Sequence, residues 1–218
     1  MLVLSLFIAK WNKSCRRFSY LSGIISLILH SLRGSDMRFL ISRMAATSQC
    51  PPRKPMSKIM WSLLGSFLGI YLVAIIGKSL QFDPLTNLFL IGSLGATAVL
   101  VYGAPLAEFS QPRNLIGGHA LSALVGVTVA KLLTADLMLA SALAVSLSVA
   151  VMHLTRTLHP PGGATALIAV IGGNGIQQLG YYYVLSPVLF GTTIMLLVGL
   201  LVNNLSRNPK RHYPVYWW

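Results

Sequence analysis

The chain has 218 residues, 55% hydrophobic and 10% charged, with a formal net charge of +13. A soluble domain carries about 25% charged residues to cover its surface, so this composition excludes an ordinary soluble enzyme and marks a membrane protein. Ten of the 17 Lys and Arg fall within residues 1–58, where Asp36 is the only acid. The charge therefore reads as a topology signal rather than as a grip on nucleic acid, which is not expected as a partner.

Residues 1–58 differ in kind from the rest. The apolar stretch 20–32 is too short to span and has the length of a signal h-region, an interfacial helix or a marginal anchor. The segment is also Arg- and Ser-rich, as transit peptides are. Met37, Met44 and Met56 each offer a later start, so mis-assigned translation is an equal alternative. Cys15 and Cys50 have neither metal-ligand spacing nor a third partner, so no disulfide, metal or cofactor is expected from them.

From residue 59 the chain is read as a transmembrane domain, 59–204, followed by a basic and aromatic tail, 205–218. Residues 59–77 (IMWSLLGSFLGIYLVAIIG) make a first span, closed by Lys78, and Phe82, Asp83 and Pro84 make a turn. Residues 88–102 form a second apolar run, followed by the polar loop 108–114. The third run is 115–133, the fourth 137–154. After the break at Gly172–Gly175 and an interfacial Tyr181, Tyr182 and Tyr183, residues 185–203 form the last span. With the basic N-terminus inside, Arg113, Arg156 and the tail residues Arg207, Lys210 and Arg211 also fall inside, so both termini are expected to be cytoplasmic, in a bacterial inner membrane.

The unusual element is residues 158–166, LHPPGGATA, set between the apolar stretches 149–152 and 167–170. Inside a bilayer, non-helical backbone survives only when buried in protein or lining a wet cavity. Pro160 and Pro161 stop the fourth helix and suit the first turn of a new one. A short helix is therefore expected from Pro161 through Thr165 to Ile171, with unpaired amides and a positive dipole end that favours an anion by about 0.3 to 1 kcal/mol. The plainer reading is a tight corner between packed helices, with Gly and Ala chosen for close contact.

Gly95-Ala96-Thr97-Ala98 repeats Gly163-Ala164-Thr165-Ala166. The copies lie three crossings apart and so point in opposite directions, the mark of an inverted repeat of about 59–133 against 134–204 and of a transporter plan with broken helices near the midplane. The fold class is thus an all-α polytopic bundle of five to six membrane helices, with an inverted repeat and a helix broken at the proline motif.

The strings LHPPGGATAL (158–167), LGATAVLVYGAPLAEFSQPRNLIGGH (94–119) and the tail 213–218 resemble the HPP family of integral membrane proteins, over about residues 57–218. The resemblance implies a compact helical bundle, often described with four spans, and a transporter of nitrite. It carries His159, Pro160, Pro161, Gly162, Gly163, Ala164 and Thr165, together with Gly95, Ala96, Thr97, Gln111, Pro112, Arg113, Asn114, Gly117, Gly118 and His119, into the candidate site. Nitrite specificity does not follow from these residues by inspection.

His159 is expected to donate to an oxyanion or to take up a proton, or else to satisfy a nearby carbonyl. Thr165 and Thr97 offer hydroxyls to the anion or to the backbone behind them. Arg113 gathers anions or sets topology, and Arg156 reads rather as topology. His119, inside the third run, is a functional candidate by default, with an interhelical hydrogen bond as the alternative. Glu108 reads as solvated. The expected function is transport of a small inorganic anion, nitrite first by resemblance, with a structural or regulatory membrane subunit as the alternative. No HExxH, GxSxG or intramembrane carboxylate pair supports an enzyme. The bilayer and the anion are the expected partners, and a homo-oligomer is left open.

Overall fold

The computed structural model describes residues 50–79, 92–206 and 211–218, with Phe39 and residues 42–44. The expectations for the start of the chain, for Cys15, for the turn at Phe82, Asp83 and Pro84, for the first part of the second run, and for Arg207 and Lys210 lie outside the described residues. Contacts divide the chain into two units, Met1–Lys54 and Pro55–Trp218. Within the first, the Ser42 hydroxyl donates to the Phe39 carbonyl at 2.7 Å.

The second unit is helical, with no strand among the described residues. Its helices are α1 (Met56–Ser79), α2 (Gly92–Gly103), α3 (Pro112–Leu132), α4 (Leu137–Leu154), α5 (Pro160–Ile171), α6 (Gly173–Leu179) and α7 (Val184–Leu205). Four of them, α1, α3, α4 and α7, are long and apolar enough to cross a membrane. The expected all-helical membrane architecture is therefore observed. Like the motif helix α5, the second run is a short apolar helix, Gly92–Gly103, in its described part. The twelve residues of α5 at 1.5 Å each give about 18 Å, short of a hydrocarbon core about 30 Å thick.

Local chemistry sets the boundaries. Pro112 stands at the first turn of α3 and Pro160 at that of α5, where the missing N–H costs nothing. Asp136 caps α4, its carboxylate accepting from the Met138 and Leu139 N–H groups at 3.0 Å, as an N-cap should. α5 ends at Gly172, and Gly173 follows with φ +78, a conformation that suits glycine. Ser186 has non-helical torsions just before Pro187, so α7 starts through a π-type turn and a kink.

One face of the bundle gathers the ends that matter. The Arg211 guanidinium donates to the Tyr102 carbonyl at 2.9 Å and to the Lys58 carbonyl at 3.3 Å. The Tyr213 hydroxyl donates to the Ser110 carbonyl at 2.9 Å, and the Asn114 amide to the Leu158 carbonyl at 2.9 Å. The start of α1, the end of α2, the start of α3, the α4–α5 loop and the tail thus share this face. α2 ends where α5 begins, so the two short helices run in opposite directions. Each repeat is long, short, long: α1, α2, α3 against α4, α5, α7. α3 packs on α4 and α5, while α7 packs on α1 and α2, which is the exchange an inverted repeat produces.

The last carbonyls of a helix have no partner within it, and where protein covers them they need one from another segment. At the end of α2 the Tyr102 carbonyl accepts from the Ser62 hydroxyl at 2.7 Å as well as from Arg211, and the Val101 carbonyl accepts from Asn203 at 3.0 Å. The register that aligns Gly95 with Gly163 also aligns Tyr102 with Val170, whose carbonyl accepts from the Gln177 amide at 3.1 Å. Both short helices are therefore closed off by side chains.

α3 and α5 approach closely because their contact is built from small residues. A methyl group added at Gly126 would lie 2.8 Å from the Ala166 Cα and 2.9 Å from the Ala169 Cβ. Backbone cannot yield as a flexible side chain can, so Gly126→Leu is expected to destabilise the fold by about 1–3 kcal/mol or more through overpacking. Denaturant titration in mixed micelles checks this, and an unchanged midpoint would contradict the packing.

Candidate functional site

Thr97 and Thr165 are each the sixth residue of their described twelve-residue helix, and His119 is the eighth of the 21 residues of α3. His119 and Thr165 thus lie in the middle part of their helices. The antiparallel packing of the repeats brings all three residues together. His119 Nε2 lies 2.8 Å from the Thr97 hydroxyl and His119 Nδ1 lies 2.7 Å from the Thr165 hydroxyl. The two GATA threonines therefore meet at the two nitrogens of one imidazole.

A second histidine completes the cluster. His159 stands at the N-cap of α5 but makes no side-chain cap bond. Its Nδ1 lies 2.7 Å from the Phe109 carbonyl, its Nε2 lies 3.1 Å from the Thr97 hydroxyl, and its ring centre is 4.9 Å from that of His119. Thr97, His159 and Thr165 are 0% exposed and His119 is 1% exposed, so each polar atom must find its partner inside the protein.

The partners fix every proton when both rings are neutral. A carbonyl only accepts, so His159 carries its proton on Nδ1, and its Nε2 must accept from the Thr97 hydroxyl. Having given its one proton, Thr97 can only accept from His119 Nε2–H. His119 Nδ1 then accepts from the Thr165 hydroxyl. The result is a single directed chain: Thr165 to His119 to Thr97 to His159 to the Phe109 carbonyl. Each threonine also has a second acceptor within reach, the carbonyl one turn back: Ser93 for Thr97 and Pro161 for Thr165, both at 3.4 Å. The Tyr183 hydroxyl donates to the Thr165 carbonyl at 3.2 Å.

The start of α5 differs from its expected form. Pro160 and Pro161 have no N–H, and the Gly162 N–H is taken by the His159 carbonyl at 2.8 Å. The first three positions of α5 therefore offer no free amide, which corrects the reading of this helix end as a row of donors. Gly162 serves contact instead: a methyl group there would lie 2.7 Å from the Ser122 hydroxyl and 2.9 Å from the Gly118 carbonyl. Gly163 is buried beside a Val145 methyl, Ala164 and Gly95 are half-buried, and Ala96 is exposed.

Free helix amides occur instead at the start of α3. Pro112 is its first residue, and the N–H groups of Arg113 and Asn114 have no hydrogen-bond partner among the described residues. The Arg113 guanidinium lies 5.3 Å from the Tyr216 ring centre, in cation–π contact. Leu106, Glu108, Arg113, Tyr216 and Trp218 line a shallow open depression. Arg113 Nε and Asn114 Oδ1 are buried with no hydrogen-bond partner among the described residues. Arg156 and His153 are exposed.

Sequence reasoning found both histidines and both threonines but missed Phe109, which acts through a backbone carbonyl and so leaves no side-chain signal. It also read Arg211 only as a topology charge. The burial of that guanidinium against carbonyls of α1 and α2 depends on a return of the chain that no local pattern announces.

A family model described as "HPP, transmembrane region" matches residues 51–214. Among curated proteins, two transmembrane proteins of Dictyostelium discoideum are similar, one 47% identical over 171 residues and one 48% identical over 173, each alignment covering 77% of this chain. The alignments cover 54% and 59% of those relatives, so this chain spans little more than half their length. No solved structure matches.

The loop that carries His159 is tied to α3 by the Asn114 amide. Asn114→Leu leaves the half-buried Leu158 carbonyl without that donor, which is expected to cost about 1 kcal/mol or more. Faster hydrogen exchange at the Gly162 amide, together with a lower unfolding midpoint in micelles, is the expected result. Unchanged values would contradict the role assigned to Asn114.

Proposed function

The chain belongs to the HPP transmembrane family, and we propose that it is a transporter of a small inorganic anion, with nitrite as the first candidate, rather than an enzyme. The observation that carries this reading is the pair of ionisable side chains, His119 and His159, fully buried inside a bundle of apolar helices. A bundle held only by packing has no need of such groups, and ionisable residues inside a membrane mark ion paths and proton relays by default.

The proposed path begins at Arg113. Its guanidinium and the unpaired amides at the start of α3 make an anion-favouring end, the helix dipole contributing about 0.3 to 1 kcal/mol. From Arg113 to His119 is six residues, or about 9 Å along the α3 axis. The weak outer site gathers the anion and the histidine pair marks the passage. Weak binding of this kind suits a site that must also release.

The proposed orientation has the Arg113, Arg156 and Arg211 face cytoplasmic, following the positive-inside rule. The bacterial inner membrane expected from the sequence gains no support from the relatives found in Dictyostelium discoideum, and no oligomer is proposed.

Saturable nitrite uptake into liposomes holding the full chain, above protein-free vesicles and compared with nitrate and chloride, is the expected result. Arg113→Gln is expected to raise the half-saturating concentration by about tenfold or more, the scale of one hydrogen bond to a charged group. No flux of any small anion from demonstrably folded protein would overturn transport and favour a structural or regulatory subunit.

A further inference from the structure

An anion inside the bundle needs a compensating charge, because an unpaired ion is costly to hold there. The prolines at the start of α5 supply no N–H, and Arg113 lies about 9 Å away at the helix end. Titratable groups near the histidine pair are few among the described residues. On α3 the candidate is His119 itself; on the α4–α5 loop it is His159; the α7 side contributes the Tyr183 hydroxyl, which is engaged with the Thr165 carbonyl. α2 brings Thr97 and α4 brings Met152, neither of which titrates.

The network has a second arrangement already in place. If a proton binds His159 at Nε2, that nitrogen changes from acceptor to donor. The Thr97 hydroxyl then turns from His159 to the Ser93 carbonyl, 3.4 Å away, and its oxygen accepts from both rings. If instead the proton binds His119 at Nδ1, the Thr165 hydroxyl turns to the Pro161 carbonyl, also 3.4 Å away, and its oxygen accepts from His119. In either case one hydroxyl rotates, no heavy atom need move, and every donor keeps an acceptor. A second proton would put two cations on rings 4.9 Å apart, which their repulsion opposes.

We propose that the His119–His159 pair is a binding site for a single proton, with Thr97 and Thr165 as the hydroxyl rotors that admit it, and that this proton travels with the anion. This rests on the anion-transport reading and adds the coupling ion to it. The imidazolium cancels the anion's charge inside the bundle, so one proton moves with each anion and the cycle is electroneutral.

The test uses the full chain in liposomes, nitrite as the probe, a pH dye inside the vesicles and a potassium–valinomycin clamp on the membrane voltage. Equal proton and nitrite uptake with a rate indifferent to voltage is expected. Thr97→Val is expected to slow both about tenfold, the scale of one lost hydrogen bond, while Thr97→Ser keeps them within about twofold of the parent. Nitrite uptake that follows voltage without proton uptake would overturn the coupling and leave anion transport standing. Absence of flux of any small anion would overturn the transport reading instead. The proton site itself is read by nitrogen NMR of histidine-labelled full chain in lipid bilayers, with His119→Gln and His159→Asn for assignment. One imidazolium per chain on acidification supports the site; two neutral rings across the whole pH range in which the protein stays folded overturn it.

Discussion

The rest of this structure depends on one constraint: backbone and side-chain polar groups inside a bilayer must find partners in the protein itself. The ends of α2 and α5 are covered by protein rather than left to water. α2 and α5 leave carbonyls at their ends, and the chain returns to cover them with Ser62, Asn203 and Arg211 at one and Gln177 at the other. The tail is thus part of the fold, because Arg211 and Tyr213 link it to α1, α2 and the loop before α3.

The same constraint explains why the centre holds a closed chain of hydrogen bonds. Once Thr97 and Thr165 face inward, their hydroxyls need partners: His119 accepts from Thr165 at Nδ1 and donates to Thr97 from Nε2. His159 adds a second ring anchored on the Phe109 carbonyl. The glycines of the α3–α5 contact make this geometry reachable: Gly118 and Gly162 lie where any side chain would push the His159 loop or α3 away. Packing, polarity and any transport role are therefore coupled, and a change in one disturbs the others.

Much of the architecture was legible in the sequence. Long apolar runs gave α1, α3, α4 and α7 to within a few residues, because hydrophobic length is a local property. The proline pair gave the start of α5, and the doubled GATA gave the antiparallel short helices. Less legible was what the doubled tetrad does. The resemblance carried Gly95 and Ala96 into the candidate site, whereas Gly95 is half-buried and Ala96 exposed, and the threonines carry the contact. The donors at the start of α5 were misjudged for a simple reason: the prolines that announce the helix start are the residues that lack the N–H. The Phe109 carbonyl and the Arg211 closure were not legible, since both arise from contacts between segments far apart in the chain.

The central claim is that two antiparallel repeats are joined through one imidazole. A double-mutant cycle tests it most directly: unfolding free energies in mixed micelles for Thr97→Val, Thr165→Val and the double variant. Because both hydroxyls lean on His119, the losses are expected to be non-additive by about 0.5 kcal/mol or more. Losses that add within about 0.3 kcal/mol would show independent sites and contradict the account.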